Sequence, residues 1–293
     1  MKDFIHFVLV PLTGVGYDSA LRRDSTWYAR RVEIFKRYTW RSLRNQTSKD
    51  FILWIILRPE ERDHPATRVL EEYLGEERLR YVLTFDGLPY FDDKFDTRYM
   101  PTIKNYLRNI RQSIRARNCK GFFESLRLSP NKNKTLEERL ARSLESLTRE
   151  KYPWVLLTRI DSDDLFHRDA LATIQRREKF QGAYTMRNGF VYNTDMDELA
   201  SWEPETNPPF HTIMFPADTF FDAKSHLAYY KDFASHEDIP RVFASVGLPD
   251  GLYCVTVRNP REHLSTVWNH PFRGAAIIDE AKKKEIMENF GLN

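Results

Sequence analysis

The stretch WVLLTRIDSDDLF, residues 154–166, decides how this chain is read. An apolar run from Trp154 to Leu157 leads into three carboxylates, Asp161, Asp163 and Asp164. A short apolar run of this kind reads as a buried strand. In open α/β sheets, ligands bind beyond the carboxyl ends of the strands, which is where the acidic cluster stands. Three carboxylates in four positions repel one another unless a cation or a donor-rich ligand sits among them. Hard divalent cations take oxygen ligands and bridge carboxylates to phosphates. The stretch therefore predicts a metal–diphosphate site on an α/β sheet.

Upstream, Phe4 to Val10 is a second apolar strand, ending in the loop PLTGVGYDS, where Gly14 and Gly16 keep the backbone permissive. Asp24 or Ser25 can cap a helix running to about Asn45, with positions 28, 32, 35, 39 and 43 on one face and Thr39 its weakest member. FILWIIL at 51–57 is another buried strand, closed by Arg58-Pro59. A short helix over Pro65–Leu74 ends at Gly75, and a strand over Tyr81–Phe85 stops at Asp86-Gly87. Met100, Ile103, Leu107, Ile110 and Ile114 form one helical stripe, and Leu136, Leu140, Leu144 and Leu147 another. Residues 119–134 read as the loop between them.

Downstream of the acidic cluster the pattern predicts a helix from about Arg168 to Lys179. A hairpin around Arg187-Asn188-Gly189 follows, then the Pro-rich loop EPETNPPF and a strand from His211 to Phe215. SHEDIPRVFASVG predicts a helix after Ser235, with Glu237 and Asp238 in its first turn; a strand at 252–258 and an amphipathic helix from Asp279 to Phe290 complete the chain. Strand–helix alternation in the first half implies a mostly parallel sheet with helices on both faces. The second half mixes shorter strands. We read residues 1–293 as one α/β domain.

Bulk properties narrow the function classes. The 293 residues carry 45 basic and 42 acidic side chains, so no global basic field argues for nucleic acid. Residues 104–134 are an exception, with nine Lys or Arg against the single acid Glu124. That stretch is either a solvated helix face or a surface attracting a phosphorylated donor, an anionic acceptor or a membrane face. Cys119 and Cys254 supply neither a disulfide framework nor a zinc knuckle. The N-terminus does not read as a signal peptide, and the longest apolar run is far shorter than a membrane span. The expectation is a cytoplasmic protein, with peripheral membrane contact left open. Asn45-Gln46-Thr47 and Asn133-Lys134-Thr135 then match the glycosylation pattern by chance.

These pieces together resemble a known family. The pattern Q-T-x-x-x-F-x-L-W-I at 46–55, R-I-D-S-D-D at 159–164, then SHED and a late WNH, is similar to glycosyltransferases of the GT-A fold. Within them the chain is most similar to the group called rhamnosyltransferases, from about Phe4 to Phe272. The resemblance implies a Rossmann-like mostly parallel central sheet flanked by helices. Residues 1–165 would be the nucleotide-sugar-binding half, and 166–293 a smaller mixed acceptor-side half. It implies a UDP-, GDP- or dTDP-sugar donor, Mn²⁺ or Mg²⁺, and a glycan, lipid-linked or protein acceptor.

Carried over by position, Asp163 holds the metal and Asp161 approaches the ribose or shares the metal. Asp164 orients Arg159 or caps the following helix. Asp86 meets the nucleobase, and Pro11, Leu12 and Thr13 line base and ribose. After the second strand the wider fold often carries an acidic signature; here LRPEERD leaves Glu60, Glu61 and Asp63 in doubt. Sugar transfer with inversion needs one carboxylate to take the acceptor proton. Asp238 is the candidate base, Glu237 the second, and both are expected ionised at a helix N-terminus. His236 binds the acceptor or orients that carboxylate. His270 is a candidate third metal ligand or phosphate contact, against a surface or packed histidine, and Trp268 or Trp202 is either a stacking surface for a sugar or core or lid packing. Arg98 and Lys104 read either as diphosphate contacts or as solvated charges at a helix start. His211, His226 and His263 read as packed or surface histidines.

Two other classes remain open. A metal-dependent nucleotidyl or phosphoryl transferase also uses carboxylates and a nucleotide, but TGVGYDS lacks the Gly-Lys-Ser/Thr of a P-loop. A non-catalytic sugar- or nucleic-acid-binding protein would use the 104–134 stretch.

Overall fold

The computed structural model describes residues 3–13, 25–76, 79–85, 152–222, 225, 236–257 and 276–292. Strand β1, Phe4–Pro11, is followed by a long helical run. The run comprises α1, Ser25–Phe35, a five-residue π segment, Lys36–Trp40, and α2, Arg41–Arg44. Then come β2, Ile52–Ile56, a 3-10 turn, Pro59–Glu61, α3, Pro65–Gly75, and β3, Arg80–Thr84. Strand β4, Trp154–Arg159, leads through the acidic turn to the two-residue β5, Leu165–Phe166, and to α4, Ala170–Arg176. The remaining strands are β6, Gly182–Thr185; β7, Gly189–Asn193; β8, Glu198–Trp202; β9, His211–Pro216; β10, Ser245–Gly247; and β11, Tyr253–Val257. Between β9 and β10 lie α5, Ala217–Phe221, a 3-10 turn, His236–Asp238, and α6, Ile239–Val242. Helix α7, Glu280–Asn289, lies at the C-terminal side.

Seven strands form one sheet in the order β10-β6-β9-β4-β1-β2-β3. The pairs β1–β2, β1–β4, β2–β3 and β6–β10 are parallel, and β9 runs antiparallel between β4 and β6. This is the Rossmann-like, mostly parallel sheet flanked by helices that the sequence implies. Alternate residues of the inner strands point to opposite faces, and both faces are buried. Val8, Val10, Leu53, Ile55 and Leu156 pack with Tyr28, Val32 and Phe35 of α1 and Leu70 and Leu74 of α3. Phe7, Leu9, Trp54, Val155 and Leu157 pack with Phe220 of α5 and Ile239 of α6. Burial on both faces explains the continuous apolar runs. Each large side chain so buried contributes roughly 1.5–3 kcal/mol.

A second sheet, β5-β11-β7-β8, forms the smaller mixed half. It corrects one expectation. The segment around Arg187-Asn188-Gly189 is no hairpin: β6 pairs with β9 and β10 in the large sheet, whereas β7 pairs with β11 and β8 in the small one. Gly189 stands at the crossing, and a Cβ there would come within 2.6 Å of the Tyr253 carbonyl oxygen. The hairpin is β7–β8, turned by Asn193, whose side-chain oxygen accepts from the Asp195 and Met196 N–H groups.

The helix expected from Arg168 starts at Ala170, because Leu165–Phe166 is drawn into pairing with Tyr253 and Cys254. The helix expected after Ser235 is a 3-10 turn and a four-residue helix. Helix α7 buries little beyond Lys283 and Met287, with Phe290 beyond its end, so its apolar face is narrower than expected. The stripes between 100 and 147 and the basic 104–134 stretch lie outside the described residues. Among the described residues no helix is long and apolar enough to cross a membrane.

Candidate functional site

The carboxyl ends of β1, β2 and β4 lie level at one edge of the large sheet. Ile160 N–H donates to the Leu9 carbonyl at 3.1 Å, and Thr13 N–H to that of Ile56 at 3.4 Å. From this edge the acidic turn departs, closed by Asp164 N–H donating to the Asp161 carbonyl at 3.2 Å.

Three elements clamp the turn. From α1, Arg31 grips Asp163 with two hydrogen bonds of 2.8 and 3.0 Å and donates a third to Ser162 Oγ at 2.8 Å. From the π segment, Thr39 Oγ1 donates to the Asp161 carbonyl at 3.3 Å. From β11, Thr256 N–H donates to Asp164 Oδ1 at 3.0 Å, and its hydroxyl donates to the Asp163 carbonyl at 2.6 Å. The extra residue of a π turn shifts the helical phase, and here the segment carries Thr39 against the turn. That accounts for a buried threonine on an apolar stripe.

The three carboxylates have different surroundings. Asp161 is the accessible one, with its side chain 33% exposed and Oδ1 accepting from Arg159 at 3.0 Å. Asp163 is buried against Arg31. Burial opposes the Arg31 charge, but the attraction of Asp163 outweighs it and raises the guanidinium pKa. Asp164 is buried, and burial first, then the charges of Asp163 and Asp161, hold its carboxyl well above the ordinary range. Asp164 neither orients Arg159 nor caps a helix: Asp161 holds Arg159, and Asp164 ties the turn to β11.

Arg159 faces His211 across the β4–β9 pair. Burial first, then the charges of Arg159 and His236, lower His211 to a pKa of about 3. His211 thus lies within electrostatic reach of Arg159 at the end of β4 and of His236 in the 236–238 turn. The second turn is stitched to the Pro-rich loop: Asn207 Nδ2 donates to the His236 carbonyl at 2.9 Å, and Thr206 to Glu237 at 3.2 Å. Asp238 pairs with Arg241 at 2.7 Å, its side chain 21% exposed. Four residues of helix carry little macrodipole, so the helix-terminus argument for Asp238 does not hold; the charge beside it is Arg241.

Other expected residues fall differently. Pro11 is half-buried at the end of β1, whereas Leu12 and Thr13 are buried. Thr13 gives its hydroxyl proton to Glu61 and accepts from Arg58 Nε at 2.6 Å. Glu61 also accepts the Arg58 N–H at 3.0 Å, so it serves this buried knot, while Glu60 and Asp63 are exposed. Trp202 packs edge-on against Tyr253 at 5.9 Å. Asp86, Arg98, Lys104, His226, His263, Trp268 and His270 lie outside the described residues.

Among the described residues no three His, Cys, Asp or Glu side chains converge as a ready metal cage. The oxygen donors still suit a hard dication. Mg²⁺ commonly needs one or two carboxylates, with waters and substrate phosphates completing its shell. Arg31 takes two of the roughly four lone-pair positions on Asp163, and Asp161 is accessible beside it.

Sequence reasoning missed Arg31 and the role of Gln46. Arg31 directly precedes the stripe residue Val32, and its partner is more than a hundred positions away. Gln46 is buried and latches the helical run to the segment after the acidic turn. Its amide donates to the His167 carbonyl at 2.8 Å and accepts from Leu171 N–H at 3.1 Å. Gln46→Met should therefore strand the buried Leu171 N–H and the partly buried His167 carbonyl and cost roughly 1–3 kcal/mol, read as a lowered urea midpoint at unchanged m-value.

His6 gives a second stability prediction. Its ring is buried between Thr158 Oγ1 at 2.7 Å and Gln175 Nε2 at 3.0 Å. Burial, then Lys179, lowers it to a pKa of about 3. Both His6 and His211 stay neutral in the fold, whereas the unfolded chain protonates them below pH ~6.5. Their contribution is complete above that pH and is lost as pH falls toward 3. At pH 5 each should cost about 2 kcal/mol. Denaturation at pH 7 and pH 5 checks this: His6→Gln should narrow the difference by about that amount, and an unchanged difference would refute the assignment.

No protein-family model and no curated protein matches this chain. Among solved structures, it is similar to a chain from Desulfovibrio desulfuricans G20 assigned as a nucleotide-diphospho-sugar transferase, at 14% identity and a TM-score of 0.36, covering 98% of this chain and 95% of that one. It is also similar to the inositol-1-phosphate CTP transferase of T. maritima, at 11% identity and a TM-score of 0.33, covering 92% and 95%. Likeness at this level carries no argument about activity, which rests on the site.

Proposed function

We propose that this chain is a metal-dependent glycosyltransferase that moves a sugar from a nucleotide-sugar donor to an acceptor hydroxyl with inversion. The observation that carries the reading is the acidic turn: an accessible carboxylate, Asp161, beside a clamped one, Asp163, at the carboxyl edge of a mostly parallel sheet. Asp161 and Asp163 would hold Mg²⁺ or Mn²⁺. When bound, that ion supplies charge neutralisation for a diphosphate leaving group.

In the proposed reaction the acceptor oxygen attacks the anomeric carbon, the bond from that carbon to the phosphate oxygen breaks, and the nucleoside diphosphate departs. Asp238 takes the acceptor proton, with Glu237 second in line and His236 orienting the acceptor. The acceptor is the hydroxyl of a glycan, a lipid-linked sugar or a protein. Arg159, beside Asp161, aligns the donor. The resemblance to rhamnosyltransferases makes dTDP-deoxyhexoses the first donors to try, with UDP- and GDP-sugars alongside.

Thermal-shift titrations of UDP, GDP and dTDP and their sugars, with and without Mn²⁺, test the reading. At a hundredfold excess over Kd, binding adds about 2.7 kcal/mol to stability. Stabilisation by one nucleotide class only when Mn²⁺ is present is expected. Its absence across all three classes would refute the donor assignment. Asp238→Asn should keep that stabilisation and lose transfer; normal transfer in this variant moves the base elsewhere. Release of pyrophosphate in place of a nucleoside diphosphate would favour nucleotidyl transfer.

A further inference from the structure

The helical run 25–44 has a second functional-looking face. Glu33 stands about 200° round the helix from Arg31, so this face is turned away from the acidic turn. An open groove of about 810 Å³ lies along it, bordered also by Tyr73 of α3 and by Thr194 and Asp195 of the β7–β8 turn. Its size is that of a small-ligand site.

Lys36, Arg37, Arg41 and Arg44 line the groove. Residues 37 and 41 are four apart and 41 and 44 three apart, spacings at which like charges destabilise a helix. Among the described residues, no carboxylate pairs with Lys36, Arg37 or Arg41. Lys36 lies over the Tyr73 ring at 3.7 Å, which holds its ammonium beside the groove. Trp40, 1% exposed, also lines the groove, and its indole N–H has no acceptor among the described residues. Clustered cations on one groove have a common complement, an anion rich in oxygen acceptors.

We infer that this groove binds a compact phosphorylated molecule, with a phosphate or diphosphate seated among Lys36, Arg37 and Arg41. Guanidinium groups match phosphate oxygens two at a time. Glu33 and Asp195 in the lining disfavour a long polyanion tracking through, so the ligand is a small one. The site is independent of the acidic turn and needs no dication.

Calorimetric titration of the full chain with inorganic pyrophosphate in EDTA tests this. EDTA removes any dication-dependent binding at Asp161 and Asp163, so failure here and failure of the proposed activity are separable. Saturable binding with one site is expected, weakened at least tenfold in Arg37→Gln/Arg41→Gln. Both arginines are exposed, so the double variant should fold; circular dichroism and a thermal melt check that it does. No binding, or binding unchanged in a folded double variant, overturns the inference. So does binding to vesicles of 4:1 phosphatidylcholine and phosphatidylglycerol without pyrophosphate binding, which would make the face a membrane contact.

Discussion

Asp161→Asn should slow sugar transfer by roughly a hundred- to a thousandfold, as loss of a charge-stabilising group in a reacting site does, while the fold stays intact. Asp161 is a third exposed, and its side-chain partner Arg159 is itself partly exposed. Replacing such a surface-facing side chain changes stability by about 0.5 kcal/mol or less. The effect should therefore appear in the rate and in Mn²⁺-dependent nucleotide binding, with the urea midpoint nearly unchanged. A rate within tenfold of the parent would remove Asp161 from the site. Asp163→Ala is a poorer test, although the sequence alone makes it the natural choice. Asp163 neutralises the partly buried Arg31, so its loss would mix the chemistry with the fold.

Arg31→Met should be the most damaging single change to stability, about 3 kcal/mol or more. Breaking a buried ion pair from one side leaves the other charge uncompensated, which typically costs roughly 3–5 kcal/mol. Here the remaining charge is Asp163, already beside the buried Asp164. The same change frees Ser162, so the turn loses its anchor to α1. Removing the second charge as well, in Arg31→Met/Asp163→Asn, should recover part of the loss. Urea denaturation of the two singles and the double gives the coupling energy directly. A coupling near zero would mean that the pair does not hold the turn.

The central sheet was legible because its strands are buried on both faces. Residues 51–57 and 154–157 are continuous apolar runs and Phe4–Val10 is broken only by His6, a pattern no surface strand would carry. The acidic turn was legible for the same reason, since it follows the clearest of those runs. The small sheet was not. Leu165–Phe166 is too short for any periodicity, and Asn188-Gly189 has the composition of a hairpin turn although tertiary pairing sends β6 and β7 to different sheets. Arg31, Thr39 and Gln46 were invisible as site-builders because their partners lie more than a hundred positions away. A helical stripe shows which side faces inward, not which polar group waits there.

The antiparallel and parallel neighbours of β4 also bear on how the chain is made. On the ribosome, β1, β2 and β3 emerge early and can pair, but the edge of β1 that takes β4 stays bare until Trp154–Arg159 appears. Strand β4 in turn lacks β9 until His211–Pro216 is synthesised. A nascent chain at that stage offers a flat, apolar, hydrogen-bond-hungry strand to any other chain nearby. Aggregation of fragments that stop short of β9 is the expected consequence of that strand order.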